Sequence, residues 1–504
     1  MGNRKLDILD KSEMLKQIVG CVSENAAGED EENLLQNFLP LRSYSKLADS
    51  KTFLITGGRG AGKSELFRIL TSCDGLTHIL SEADKKRYTD LKKTEFIVAY
   101  IAQGNHSKNF PTQNIASKWI KGKKSEEIVS FWCGLLCAVL IRRFSNNEEV
   151  NNIAKLYLGE ELYMAFLEKS SQISAWYELV YTKEEECESF LNEIDDWLRA
   201  QNRCIFLTYD ELDRICGNYK DLFAFIRNLL SFWFSHNNRF TNIKAKIFLR
   251  SDLYNAKALQ FVDSSKMRAY HLELKWDTLS LYRMLVKRMA NAGSDILLKY
   301  LQDVPNLVSL RTVNELGYMP GDSEEAFRLL IEKMIGKYMG KTPKRGYSYT
   351  WVPNHIQDAN GELAPRPFLK CFSFAAEEML FHEEYLEGNR LLSPTRLQGA
   401  LVKVSRDRVE ELTLEEYQWL QNLIDRLYDK AMLMERSEFL GYLKPELWPD
   451  DKKEELPGKT SEEILEALLA MGIIMETSDN RINVPEIYLH GFGLKRKGGI
   501  KRPK

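Results

Sequence analysis

Short continuous apolar runs alternate with helical stripes along the first three hundred residues. Phe53, Leu54 and Ile55 form one run, followed by Thr94–Ile101, Arg203–Tyr209, Lys244–Leu249 and Met267–Leu274. Continuous runs of this kind mark strands buried on both faces, as in parallel sheets. Between them, Leu66, Phe67 and Leu70 fall at helical spacing, and helices are predicted at about 125–145, 150–168, 184–201, 219–235 and 279–290. Phe190, Leu191, Ile194, Trp197 and Leu198 share one face of the 184–201 helix. Strands separated by helices require crossover connections, hence a parallel sheet covered by helices.

The pattern divides the chain. Residues 1–50 read as a helical segment expected to pack beside the nucleotide site, and 51–292 as an α/β core with a helical insertion at about 103–202. Residues 293–434 are mostly helical, interrupted by a turn-rich patch at 341–367. In 435–490, Thr460 and Glu463 form a capping box for a helix Glu462–Met471 that Gly472 stops, and two short strands follow at Ile473–Glu476 and Arg481–Val484. Helix followed by hairpin is winged-helix-like. A basic tail, 491–504, ends the chain; six of its last ten residues are Lys or Arg.

Composition narrows the class. Hydrophobic residues make up 44% and charged residues 28%, ordinary for a soluble globular protein, and the net charge of −2 provides no global field for nucleic acid or membrane. Eight cysteines lie scattered without Cys-x-x-Cys spacing, so neither a zinc site nor a disulfide framework is indicated, and a cytoplasmic location is expected. The most apolar stretch, Phe131–Ile141, is too short to span a bilayer, and the N-terminus has no apolar export segment. No membrane association is expected.

The candidate chemistry begins at Gly57-x-x-x-x-Gly62-Lys63-Ser64, the Walker A spacing, placed between a strand and a helix. Glycines let successive backbone N–H groups face phosphate oxygens, and the following helix adds partial positive charge. Gly57, Gly58, Arg59, Gly60, Ala61, Gly62, Lys63, Ser64 and Glu65 are therefore the expected nucleotide-binding residues. Lys63 would reach the β and γ phosphates of ATP, and the Ser64 hydroxyl would bind Mg²⁺. A second informative stretch, Arg203–Arg214, is an apolar strand ending in Asp210 and Glu211. Asp210 is placed to hold Mg²⁺ and Glu211 to polarise a water.

A Walker A, a strand ending in Asp-Glu and a further strand ending in a polar triplet resemble the additional-strand P-loop ATPases, the group that includes the AAA+ and STAND proteins. That resemblance covers roughly residues 40–290. It implies sheet order 5-1-4-3-2, Glu211 as catalytic base, and a sensor-1 residue at Arg250, Ser251 or Asp252, where Asn, Thr or Ser is usual. A structural Arg250–Asp252 pair would account for the same residues. Ala364-Pro-Arg-Pro, at the start of an apolar helix, is similar to the lid helix that carries the sensor-2 arginine, and implies that role for Arg366; an arginine pairing a carboxylate at a helix start is the alternative. Arg214, Arg288 and Arg250 are the candidates for an arginine finger.

The function this implies is Mg²⁺-dependent ATP hydrolysis by a homo-oligomeric switch or motor coupled to a separate effector protein, similar to the ATPase subunits of bacterial antiphage systems. No His-x-x-x-His or Gly-x-Ser-x-Gly pattern suggests a second active site. Two other readings stand beside it: a nucleotide-gated scaffold without turnover, and a DNA-stimulated translocase. Nucleic acid would meet the basic tail more readily than the winged helix, whose helix carries Glu462, Glu463 and Glu466.

Overall fold

Five strands carry the α/β core: β1 (Leu54–Gly57), β2 (Thr94–Tyr100), β3 (Cys204–Tyr209), β4 (Ile243–Arg250) and β5 (His271–Glu273). All pair in parallel, in the order β2-β3-β4-β1-β5. This is the expected 5-1-4-3-2 sheet. The structure is a computed structural model and describes residues 6–22, 31–72, 75–80, 93–254, 264–415, 417–453 and 455–496. The tail from residue 497 onward lies outside the described residues.

Two compact units form, one of residues 40–58 and 62–274, the other of 1–39, 59–61 and 275–504. In the first unit, β1 is buried along its whole length and β4 along all but its last residue, as continuous apolar runs require. Two lysines interrupt the apolar character of β4. Lys246 donates to the carbonyls of Asp49 (2.8 Å) and Thr52 (2.5 Å) and lies over the Phe206 ring, so it fastens the segment entering β1. Burial pushes its pKa down to about 7. β5 is shorter than its apolar run predicts, because β1 offers it only Leu54, Ile55 and Thr56 as partners. The residues before it, Ser264–Tyr270, close into a 3-10 turn instead.

The insertion forms helices at Ser125–Arg143, Glu148–Lys169, Ile173–Thr182 and Glu184–Ala200. The helix Ile173–Thr182 has no counterpart in the sequence reading; neither of its ends has a side-chain cap to announce it. Its Trp176 is fully buried, donates to the Ser170 carbonyl (3.0 Å) and tilts against Phe131.

In the second unit the N-terminal helix Ile8–Gly20 packs on the helix Pro365–Phe381, where the Ser373 hydroxyl donates to the Val19 carbonyl (2.9 Å). Residues 1–39 thus group with 275–504. The turn-rich patch contains a helix, Ser348–Ile356. In the C-terminal region, Met434–Glu435, Arg481–Asn483 and Met475–Glu476 make a three-stranded antiparallel sheet beside the helices Arg436–Tyr442 and Ser461–Ala470. Arg436 holds both carboxylate oxygens of Glu462 (2.9 and 2.7 Å), and the Thr460–Glu463 capping box forms. Among the described residues no helix is long and apolar enough to cross a membrane.

Gly134, in the middle of Ser125–Arg143, marks where that helix meets its neighbour. A Cβ there would stand 2.7 Å from Trp176 Cζ3 and 2.9 Å from Val180 Cγ2. Alanine should gain up to about 1 kcal/mol of helix propensity, but overpacking against a buried indole costs about 1–3 kcal/mol. Gly134→Ala should therefore lower unfolding stability in urea, and an unchanged or raised midpoint would show that the two helices are not in contact at this point.

Candidate functional site

The loop after β1 is shaped by its glycines. Gly60 (φ +73°) and Gly62 (φ +92°) adopt the left-handed backbone that side chains resist, and Leu66 N–H donates to the Gly62 carbonyl (2.9 Å) to start the helix Lys63–Ser72. Lys63 turns back over the loop and donates to the carbonyls of Gly57 (2.8 Å) and Gly58 (2.9 Å). Ser64, one residue on, is exposed, and its hydroxyl donates to the Asp210 carboxylate.

β3 delivers the carboxylates. Asp210 extends the pairing of β2 with β3, its N–H donating to the Tyr100 carbonyl (3.1 Å), and its side chain is buried. Burial raises its pKa to about 6, against the pull of the Glu211 N–H, the Ser64 hydroxyl and Lys63. Burial likewise pushes Lys63 down to about 8, helped by the Arg250 guanidinium and opposed by Asp210, Asp252 and Asp213. Glu211 follows in left-handed backbone (φ +54°, ψ +31°), and its Oε2 accepts from the Gln103 N–H (2.8 Å). A non-glycine residue there carries roughly 1–2 kcal/mol of strain. The sequence reading did not include Gln103, which contributes only its backbone.

Arg250 ends β4, directly beside Gly57 in the register. It grips Asp252 with Nε (3.1 Å) and Nη2 (2.7 Å) and reaches Asp213 (3.5 Å), so the structural Arg250–Asp252 pair does form. Ser251 is buried. Arg214 is exposed at the end of the turn Leu212–Arg214. Arg288 is buried and donates to the Cys21 carbonyl (3.2 Å).

The crest of the loop, Arg59–Ala61, groups with the second unit. Arg59 Nε lies 3.4 Å from Glu411, which also meets Lys370 (3.4 Å) and Arg408 (3.8 Å). A Cβ on Gly60 would stand 3.2 Å from Arg366 Cβ, so the Ala364-Pro-Arg-Pro segment sits against the crest. Trp276 Nε1 donates to the Ala61 carbonyl (2.9 Å). Neither Glu411 nor Trp276 carries a sequence signal for this contact. Glu65 lies close enough to Tyr44 to act on its hydroxyl.

Ser64, Lys63, Asp210, Glu211 and Arg250 therefore converge within the first unit. The hydroxyl and carboxylate of Ser64 and Asp210 are hard oxygen donors of the kind Mg²⁺ takes, and Lys63 is a cation of the kind a polyphosphate would need.

A family model described as ORC-CDC6-like matches residues 22–249, a span that includes the phosphate loop, β2, β3 and the Asp210–Glu211 pair. With the sheet order, this supports a P-loop ATPase of the additional-strand, AAA+ type. No curated protein matches the chain. Among solved structures, that of the Aeropyrum pernix ORC2 protein (ADPNP-ADP complexes) is similar at 12% identity, covering 91% of this chain and 94% of that one, with a TM-score of 0.37. At that distance no residue role passes from one to the other.

Two tests concern the carboxylates. Asp210 has a folded pKa of about 6, above the usual value of about 4. Its protonation thus stabilises the fold fully below about pH 4, and that contribution is lost as pH rises through 6, by at most about 3 kcal/mol. Unfolding of wild type and Asp210→Asn across pH 4–7 should show this slope in wild type alone; parallel curves would contradict it. At position 211 the left-handed backbone predicts that Glu211→Gly is more stable than Glu211→Ala by about 1 kcal/mol, the reverse of ordinary backbone propensity. Equal urea midpoints would remove the strain argument.

Proposed function

We propose that this protein binds ATP with Mg²⁺ and hydrolyses it, using nucleotide state as a switch for an oligomer that acts on a separate effector. The observation that carries the reading is the hydrogen bond from the Ser64 hydroxyl to the buried Asp210 carboxylate, with Lys63 folded over the same loop. In this reading Gly57–Glu65 cradle the phosphates, Ser64 and Asp210 hold the metal, Lys63 neutralises the β and γ phosphates, and Glu211 orients the attacking water. Bound Mg²⁺ would withdraw charge from the transferring phosphoryl group. In the same reading Arg366, whose Cβ lies close to Gly60, would be the lid arginine that reports on the phosphates. Arg250 positions the end of β4 through Asp252 and offers a cation to the same site.

The bond between Glu211 and the Gln103 N–H favours a gated form of this function. While that bond holds, Oε2 is engaged and only Oε1 is left to take a water, so release from Gln103 would free the whole carboxylate for the attacking water. A nucleotide-gated scaffold is the limiting case in which that release rarely happens. A role in bacterial antiphage defence follows by analogy with P-loop ATPases that work beside a separate effector protein.

Phosphate release is the direct test. Wild type should turn over ATP, and Glu211→Gln should keep nucleotide binding while losing about 100-fold or more in rate. No release by wild type, with or without nucleic acid, would leave the scaffold reading. Mass photometry with ADP, with a non-hydrolysable ATP analogue and without nucleotide should show different assemblies; one fixed monomer would contradict the oligomeric switch.

A further inference from the structure

Between Glu332 and Asp358 the chain carries five cations, Lys333, Lys337, Lys341, Lys344 and Arg345, and no carboxylate. In a protein with net charge −2 this is a strong local excess. Lys333 is engaged with Asp303 (3.6 Å) and Tyr300. The other four belong to a hairpin. Tyr338 and Tyr347 face each other across an antiparallel bridge, Met339 N–H donates to the Gly346 carbonyl (3.0 Å), and Ser348 N–H donates to that of Lys337 (3.1 Å). The tip closes through the 3-10 turn Pro343–Arg345 and Gly346 (φ +91°). Met339, buried, anchors one arm.

Lys337, Lys341, Lys344 and Arg345 are all exposed, and among the described residues none of them forms an ion pair with a carboxylate. Beside them the two tyrosine rings pack with centroids 5.1 Å apart, tilted by 55°, and Tyr347 keeps 51% of its surface exposed. Such a hairpin is already ordered, so a ligand would meet fixed charges and a fixed aromatic face.

We propose that the hairpin 336–347 is a nucleic-acid contact, its cations meeting the phosphates of a single strand and Tyr347 stacking on a base. Paired cations and π-faces are what a strand without sequence preference is held by. The tip residues Lys341-Thr-Pro-Lys-Arg345 include no large apolar side chain to enter a bilayer, which argues against a lipid surface.

Fluorescence anisotropy with the full chain and a labelled single-stranded DNA oligonucleotide tests this. The triple variant Lys341→Ala/Lys344→Ala/Arg345→Ala should bind about tenfold or more weakly, with a salt slope shallower by about 2. Tyr347→Ala should lose about fivefold or more with the salt slope unchanged. Thermal unfolding of each variant should match wild type, and the single Lys344→Glu change provides the same reading if the triple variant does not fold. The proposal is overturned if wild type binds no oligonucleotide, if the variants bind like wild type, or if they lose binding only to phosphatidylserine vesicles. None of these outcomes depends on ATP turnover, so they are separable from the ATPase reading.

Discussion

The placement of β1 between β4 and β5 is the constraint on which the site depends. Because β1 joins the sheet in that slot, Gly57 lies directly beside Arg250, and the loop it feeds opens at the carboxyl ends of the strands, where β3 delivers Asp210. Lys246 secures the entry to that slot through two carbonyls just before β1. A sheet in another order would separate the serine hydroxyl from the aspartate it now contacts. The meeting of Ser64 with Asp210 is thus a property of topology first and of side chains second.

The chemistry that follows is one of buried charges balanced against one another. Asp210 and Lys63 are each pushed by burial toward their neutral forms, and each is pulled back by the other. A divalent cation and a polyphosphate would supply the opposite charges that both lack. Glu211 adds strained backbone and a carboxylate tied through one oxygen to the Gln103 N–H. Within the second unit, Arg59 shares Glu411 with Lys370 and Arg408.

Much of this was legible in the sequence, for identifiable reasons. The spacing Gly57 to Ser64 encodes a loop whose conformation needs those glycines, and an apolar strand ending in Asp210-Glu211 places carboxylates where strands end. The sheet order was not in the periodicity; it came with the resemblance to additional-strand P-loop ATPases. What escaped was what local pattern does not encode. The helix Ile173–Thr182 lacks capping residues and owes its place to Trp176 in the core. The Gln103 contact uses a backbone N–H, and the Arg59–Glu411 contact joins residues some 350 positions apart. The hairpin at 336–347 fell partly in the helical stretch and partly in the turn-rich patch at 341–367, because its order comes from one bridge and one 3-10 turn.

The central claim is that Lys63, Ser64 and Asp210 together make one Mg²⁺–ATP site. Isothermal titration of ATP into wild type and Lys63→Ala, each with and without Mg²⁺, tests it most directly. The account predicts saturable, Mg²⁺-strengthened binding by wild type and a loss of about 100-fold in Lys63→Ala, as expected for removing a buried charge from an anion. Equal affinities in the two proteins, or no heat at all from wild type, would contradict it.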